Sequence, residues 1–331
     1  MKQKTKKIIL SIFLAVIILI TIGLFAGSNY LFNYGLSRSG DGGNRVAANE
    51  VIDDESSDSD EISVVDMNKE IIKSSTSSFK EMNPSEIYRV VTNDGLSLFS
   101  KVHFNDSDNW VILIHGYRAD NENMYDFAPF YYEKGFNILL PDLRASGRSE
   151  GEYIGMGTLD MEDMKLWIDW IIENNSNANI VIHGVSMGAA TTMNLSGENL
   201  QNNVKIFIED SGYTSPWNIF KSELKYRFNI PSFPLLNIAN ILTNMRADYD
   251  LKSPSPIEQV AKSDRPIMFI HSRDDDFIPF EMVEELYEAK VNGDRVIIKT
   301  DTAGHGDVMY YLNDEYWNQV FEFIGKYIDI N

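Results

Sequence analysis

The sequence predicts an α/β fold: an eight-stranded, mostly parallel sheet with helices on both faces, preceded by one transmembrane helix. Three features lead there. From Ile87 onward, short β-rich runs alternate with amphipathic stretches, as in a parallel sheet whose crossovers are helical. Gly184-Val185-Ser186-Met187-Gly188 stands between the apolar run Ile180-Val181-Ile182 and Ala189-Ala190-Thr191-Thr192-Met193, which reads as strand, sharp turn, helix. Ahead of all this, residues 8–27 run for twenty positions without a charge, long enough to cross a bilayer.

Taken in order, residues 1–7 form a short cytoplasmic tail. Lys2, Lys4, Lys6 and Lys7 precede the apolar run and only Arg38 and Arg45 follow it closely, so charge bias keeps the N-terminus inside and exports the rest. A cleaved signal peptide, with Ala26-Gly27-Ser28 as its cleavage site, is the competing reading, but the apolar run is long for one. Both readings put the remainder outside the cytoplasm, and the expected location is a single-pass protein of the cell membrane. Glu50, Asp53, Asp54, Glu55, Asp58, Asp60 and Glu61 then alternate with serines, a composition too polar to offset its own ordering entropy. Residues 28–84 therefore read as a flexible acidic, Ser-rich stalk, which leaves 85–331 for the folded domain. With 331 residues, 44% of them hydrophobic, the chain has material for one large core of that size. The net charge of −20 argues against a nucleic-acid partner, and the absence of cysteine excludes disulfides and thiolate nucleophiles.

Eight strands are expected within the domain. Ile87 to Thr92 and Leu96 to Phe104 are joined by Asn93-Asp94-Gly95, a tight-turn sequence that makes an antiparallel start. Trp110 to Ile114, Phe136 to Leu140, Ile180 to His183, Val204 to Ile208, Pro266 to Ile270 and Arg295 to Lys299 follow, mostly apolar because both faces of a parallel sheet are covered. Thr158 to Glu173 is the clearest helix, with an apolar face from Leu159 to Ile171 and Asp160, Glu162 and Asp163 in its first turns. Residues 213–260, between the sixth and seventh strands, exceed a simple crossover and carry Trp217, Phe220, Tyr226, Phe228, Phe233, Leu235, Leu236 and Met245. They form a candidate lid. Most of these side chains suit core packing, and whatever overhangs Ser186 would shape an apolar pocket.

The turn at Ser186 has the form of a nucleophile elbow, in which flanking glycines leave no Cβ where strand and helix crowd and a strained backbone presents the hydroxyl. A second Gly-x-Ser-x-Gly, Gly147-Arg148-Ser149-Glu150-Gly151, follows Pro141-Asp142-Leu143-Arg144 instead of a strand and lacks that context. A serine needs a base, and the base needs a carboxylate to orient it. Of five histidines, His103, His115, His183 and His271 all lie in or at the ends of earlier strands. His305, in Ala303-Gly304-His305-Gly306 after the last strand, completes the order serine, acid, histidine. For the acid, Asp274, Asp275 and Asp276 after the seventh strand and Asp210 after the sixth are all available. No grouping has zinc-ligand spacing and no P-loop or dinucleotide fingerprint occurs, so no metal and no cofactor is expected.

Ser186 in Gly-Val-Ser-Met-Gly, His115-Gly116-Tyr117 after a strand, Pro141-Asp142-Leu143-Arg144 with Gly147-Arg148-Ser149, and His271 to Pro279 together resemble the α/β-hydrolase superfamily. The resemblance spans Ile87 to Ile330 and is similar to membrane-anchored bacterial hydrolases of the esterase and prolyl-oligopeptidase-like branch, with Glu209-Asp210-Ser211-Gly212-Tyr213 as a further likeness. The chain departs at Ala145-Ser146, where the family often has Gly-His, in a loop that bears on substrate fit. The family pattern His-Gly-x-x-Asp-x-x-Val-Pro implies Asp275 as the acid, four positions after His271. By analogy, the backbone amides of Tyr117 and Met187 would form the oxyanion hole. The resemblance implies a serine hydrolase, esterase before other subclasses, that cleaves an ester, or a thioester or amide, of a small-molecule or lipid-like acyl substrate; the apolar run ties it to the membrane, and no protein partner is inferred. A peptidase of the prolyl-oligopeptidase-like branch, or a surface binding module without turnover, are the alternatives.

Overall fold

The computed structural model describes residues 2–40 and 63–330. Its sheet has eight strands: β1 (Glu86–Val91), β2 (Ser97–His103), β3 (Asn109–Ile114), β4 (Asn137–Pro141), β5 (Asn179–Val185), β6 (Val204–Asp210), β7 (Ile267–Ser272) and β8 (Arg295–Thr300). They lie in the order β1-β2-β4-β3-β5-β6-β7-β8. β1 and β2 pair antiparallel, β2 meets β4 antiparallel, and all other neighbours are parallel. Each expected strand is present to within a few residues.

Successive side chains of a strand face opposite layers, and the sheet uses both. Trp110, Ile112 and Ile114 of β3 join one buried cluster, and Val111 and Leu113 the other. On the first side pack α4 (Thr158–Asn174), α5 (Met187–Ser196), α8 (Pro256–Lys262) and α9 (Glu281–Ala289). On the second lie α3 (Ala128–Glu133), α10 (Val308–Leu312) and α11 (Asp314–Ile324).

The N-terminal quarter corrects the stalk expected over 28–84. Helix α1 runs Lys2–Leu36, so the apolar span continues without a break into residues that belong to the domain: Ser28, Phe32 and Leu36 are buried. Helix α2 (Val64–Met82) begins at Ser63, whose hydroxyl accepts from the Asp66 amide at 3.1 Å, and buries Thr76 together with Ile72 and Phe79, the latter two in the second cluster. Those three positions recur at four and three residues, one face of a helix. The acidic run from Glu50 to Glu61 lies outside the described residues.

Residues 213–260 fold as α6 (Pro216–Phe228), α7 (Leu235–Ala247) and α8. Core packing was expected for most of the eight large side chains named there, but only Leu236 is buried, while Tyr226, Phe228, Phe233 and Met245 are exposed. The reason is topological. α7 packs against α1 instead of against the sheet, so its far face and the end of α6 have no second layer to cover them.

Candidate active site

β5 passes into α5 through one residue, Ser186, held at φ 58° and ψ −116°. Such backbone costs about 1–3 kcal/mol and persists here because neighbours over-determine it. The Ser186 amide donates to the Asp210 carbonyl at 2.8 Å, and the Ser186 carbonyl accepts from the Ala190 amide at 3.0 Å. The flanking glycines are required sterically. A Cβ on Gly184 would stand 2.1 Å from the Gly188 carbonyl oxygen, and one on Gly188 would stand 2.0 Å from that of Ile114.

His305 Nε2 lies 2.9 Å from Ser186 Oγ, and its Nδ1 lies 2.8 Å from Asp275 Oδ2. With a carboxylate on Nδ1, that nitrogen carries the proton and Nε2 accepts from the serine hydroxyl. The other oxygen of Asp275 accepts from the amides of Phe277 at 2.9 Å and Ile278 at 2.8 Å, so its orientation is fixed by backbone. The remaining candidate acids are placed differently. Asp274 and Asp276 are exposed, and the Asp210 carboxylate accepts from Tyr316 Oη at 2.8 Å and Ser211 Oγ at 3.0 Å.

Electrostatics favour this pairing. Burial alone would depress the His305 pKa, but attraction and hydrogen bonding to Asp275 outweigh it and the net shift is upward. Burial would raise Asp275, and the facing His305 reverses that and holds the carboxyl below the ordinary aspartate value. Burial also keeps His271 neutral. Its Nε2–H donates to the Ile278 carbonyl at 3.1 Å while standing 3.3 Å from Asp275 Oδ2, so it steadies the acid loop from beneath. Phe277 lays its ring 5.0 Å from the His305 ring. Sequence reasoning treated His271 as a landmark and overlooked this bracing. Its spacing of four before Asp275 was the available signal.

Met187 opens α5, where the first amides of a helix lack intrahelical acceptors. Tyr117 follows β3 and is half-buried; its phenol is engaged, donating to the Gly35 carbonyl of α1 at 2.6 Å. Between Tyr117 and the strand, His115 accepts from the Leu143 amide at 3.0 Å through Nε2 and turns Nδ1–H to the Gly116 carbonyl at 2.8 Å. That arrangement sets Gly116 against Ser186, where an added Cβ would meet the serine Cβ at 3.3 Å. The other histidines have structural partners. His183 sits between Tyr131 Oη (2.9 Å) and Tyr316 Oη (3.1 Å), with burial pushing its pKa down to about 3. His103 meets Tyr125 Oη at 2.8 Å. Ser149, in the second Gly-x-Ser-x-Gly, is buried and donates to the Asp142 carbonyl at 2.6 Å while accepting from the Phe99 amide at 2.9 Å.

Above Ser186 is an apolar pocket. Ser186, Tyr117, Met156 and Phe277 line it; α6 and α7 supply Ile219, Leu236 and Ala239, and α1 supplies Phe32 and Leu36. Its charged members, Glu223 and Arg227, pair with each other at 2.7 Å.

The arrangement matches known proteins. The sequence model for the alpha/beta hydrolase fold matches residues 109–234. The chain is 30% identical to the uncharacterized protein YqkD of Bacillus subtilis over 230 residues, 68% of this chain and 73% of that one. Among solved structures it is similar to the esterase Pf2001 of Pyrococcus furiosus, with a TM-score of 0.62 at 23% identity over 75% of this chain and 95% of that one. An acylaminoacyl peptidase of Pyrococcus horikoshii is similar over 73% of this chain but only 41% of its own, with a TM-score of 0.56 at 18% identity. Strand order, elbow and these likenesses agree that the chain belongs to the α/β-hydrolase fold family.

Proposed function

We propose that this protein is a membrane-anchored serine hydrolase that cleaves carboxylic esters outside the cytoplasm. The reading is carried by one observation: a continuous hydrogen-bonded path from Ser186 Oγ through both nitrogens of His305 to Asp275 Oδ2, at 2.9 and 2.8 Å. Along that path His305 Nε2 takes the Ser186 proton as Oγ bonds to the ester carbonyl carbon. The oxyanion then collapses, the C–O bond to the alcohol breaks, and His305 returns the proton to the departing oxygen. Water repeats the sequence against the acyl-serine, giving its proton to His305 and releasing the carboxylic acid with the serine restored. The amides of Met187 and Tyr117 serve the oxyanion, as donors that need not reorganise when the charge appears.

The membrane reading is supported by the length and apolarity of Lys4–Leu36 and by the lysines ahead of it. Exposed Phe233 stands two residues before Leu235, whose carbonyl accepts from Ser28 at 2.9 Å, so apolar surface of the domain lies beside the point where the span ends.

The test is covalent labelling of the full-length protein with a fluorophosphonate probe, followed by peptide mapping. Label on Ser186, with turnover of a simple ester falling about a millionfold in Ser186→Ala, is the expected result. Folded protein that neither labels nor hydrolyses the ester contradicts the proposal.

A further inference from the structure

We infer that the membrane-proximal end of α1, residues 31–36, is the specificity-determining wall of the acyl pocket and limits it to acyl groups of a few carbons. This inference rests on the hydrolase reading above and adds the substrate class.

The wall is built from the anchor itself. Leu31, Phe32, Gly35 and Leu36 line the same pocket as Ser186 and Phe277, with Phe32 and Leu36 only 1% and 2% exposed. Polar clamps from separate parts of the domain hold this stretch at backbone or side chain. Ser28 Oγ donates to the Leu235 carbonyl at 2.9 Å, Tyr117 Oη to the Gly35 carbonyl at 2.6 Å, and Arg227 Nη1 to Tyr34 Oη at 2.9 Å. The Ile154 amide donates to the Leu36 carbonyl and the Arg38 amide to the Glu152 carbonyl, both at 2.8 Å. A helix end tied at five points does not swing aside freely, so the space it leaves is the space the substrate meets. The enclosed part of this space, which also opens to solvent, is about 80 Å³. An apolar cavity of about 150 Å³ holds benzene, so this one accepts an acyl group of roughly two to four carbons. The lining is apolar and its Glu223–Arg227 pair is internally satisfied, which favours an uncharged aliphatic acyl group over a dicarboxylate or amino acid.

The experiment uses full-length protein in detergent micelles with p-nitrophenyl acetate, butyrate, octanoate and dodecanoate, and fluorophosphonate labelling of the wild type as a separate measure of Ser186. Wild type is expected to favour acetate or butyrate over octanoate in kcat/KM by about tenfold or more. Phe32→Ala and Leu31→Ala are expected to raise the octanoate-to-butyrate ratio by about tenfold, and Leu31→Trp to lower butyrate relative to acetate. Leu31 is only partly buried, so its two variants decide the matter even where Phe32→Ala does not fold. A wild type that labels at Ser186 yet turns over octanoate as readily as butyrate overturns the inference and leaves the hydrolase reading intact. Leu31→Ala and Leu31→Trp with unchanged chain-length ratios do the same. Wild type that neither labels nor hydrolyses any of the four esters removes the hydrolase reading and this inference with it.

Discussion

At the scale of single residues, the proposed site rests on opposing shifts on two partners. Because Asp275 raises the His305 pKa, the imidazole is protonated, and unable to accept the serine proton, up to a higher pH than an ordinary histidine. The acid limb of kcat/KM for ester hydrolysis is therefore expected to have its midpoint above about 6.5, the unperturbed histidine value, with activity rising as pH increases through it. Asp275→Asn removes both the attraction and the acceptor for Nδ1–H. It should lower kcat by about 10⁴-fold and move the limb to lower pH, which a pH–rate profile of the two proteins would reveal. An unmoved limb would mean that Asp275 does not set the protonation of His305. Asp210 shows the contrast. It is equally buried, and burial raises it to about 6 against the pull of Tyr316, Ser211 and His305, but its oxygens bond a phenol and a hydroxyl, so it supports β6 and the elbow while Asp275 meets the imidazole.

At the scale of elements, two helices report on how the domain is closed. Asp160 accepts from the Gly157 amide at 2.7 Å at the start of α4, yet burial and the nearby Asp163 lift its pKa to about 7. A carboxyl whose folded pKa exceeds its unfolded one stabilises the fold at low pH and loses that contribution as pH rises through the folded value. Wild type should accordingly lose stability between about pH 4 and pH 7, and Asp160→Asn, which keeps an acceptor for Gly157 without the charge, should flatten that decline in urea denaturation. Equal slopes in the two proteins would refute the shift. Helix α2 gives a simpler test. Phe79 packs 4.8 Å from the His103 ring and 5.1 Å from that of Tyr132, so Phe79→Ala should destabilise by about 3–5 kcal/mol in the same measurement. A residue in a loose stalk would cost nothing.

At the scale of the molecule, the hydrolase-fold domain begins inside the N-terminal apolar helix. Phe32 and Leu36 of α1, with Ile72 and Phe79 of α2, are buried against the two faces of the sheet assembly, and burying each such side chain is worth about 1.5–3 kcal/mol. A chain starting at residue 85 should therefore melt well below one starting at residue 28, or aggregate, whereas removing only residues 1–27 should leave the melting temperature within a few degrees. Thermal unfolding of the two truncated proteins checks this. Comparable melting of both would show that α1 and α2 are dispensable to the fold.

Much of this was legible in the sequence because it depends on local rules. Apolar runs of parallel strands, the glycines at 184 and 188 and the charge-free stretch over 8–27 each carry their meaning within a few residues, and so fold class, strand positions and the turn at Ser186 could be read directly. Long-range packing decided the rest. The sheet order β5-β6-β7-β8 brings the loops after β5, β7 and β8 to one edge, which selects Asp275 from three adjacent carboxylates by contact with His305. The same packing turned residues 28–36 and 64–82 from an apparent stalk into walls of the domain, because a helix too short or too polar to hold alone becomes ordered when a partner surface covers its apolar face. No rule of neighbouring residues announces that surface, and only the assembled fold supplies it.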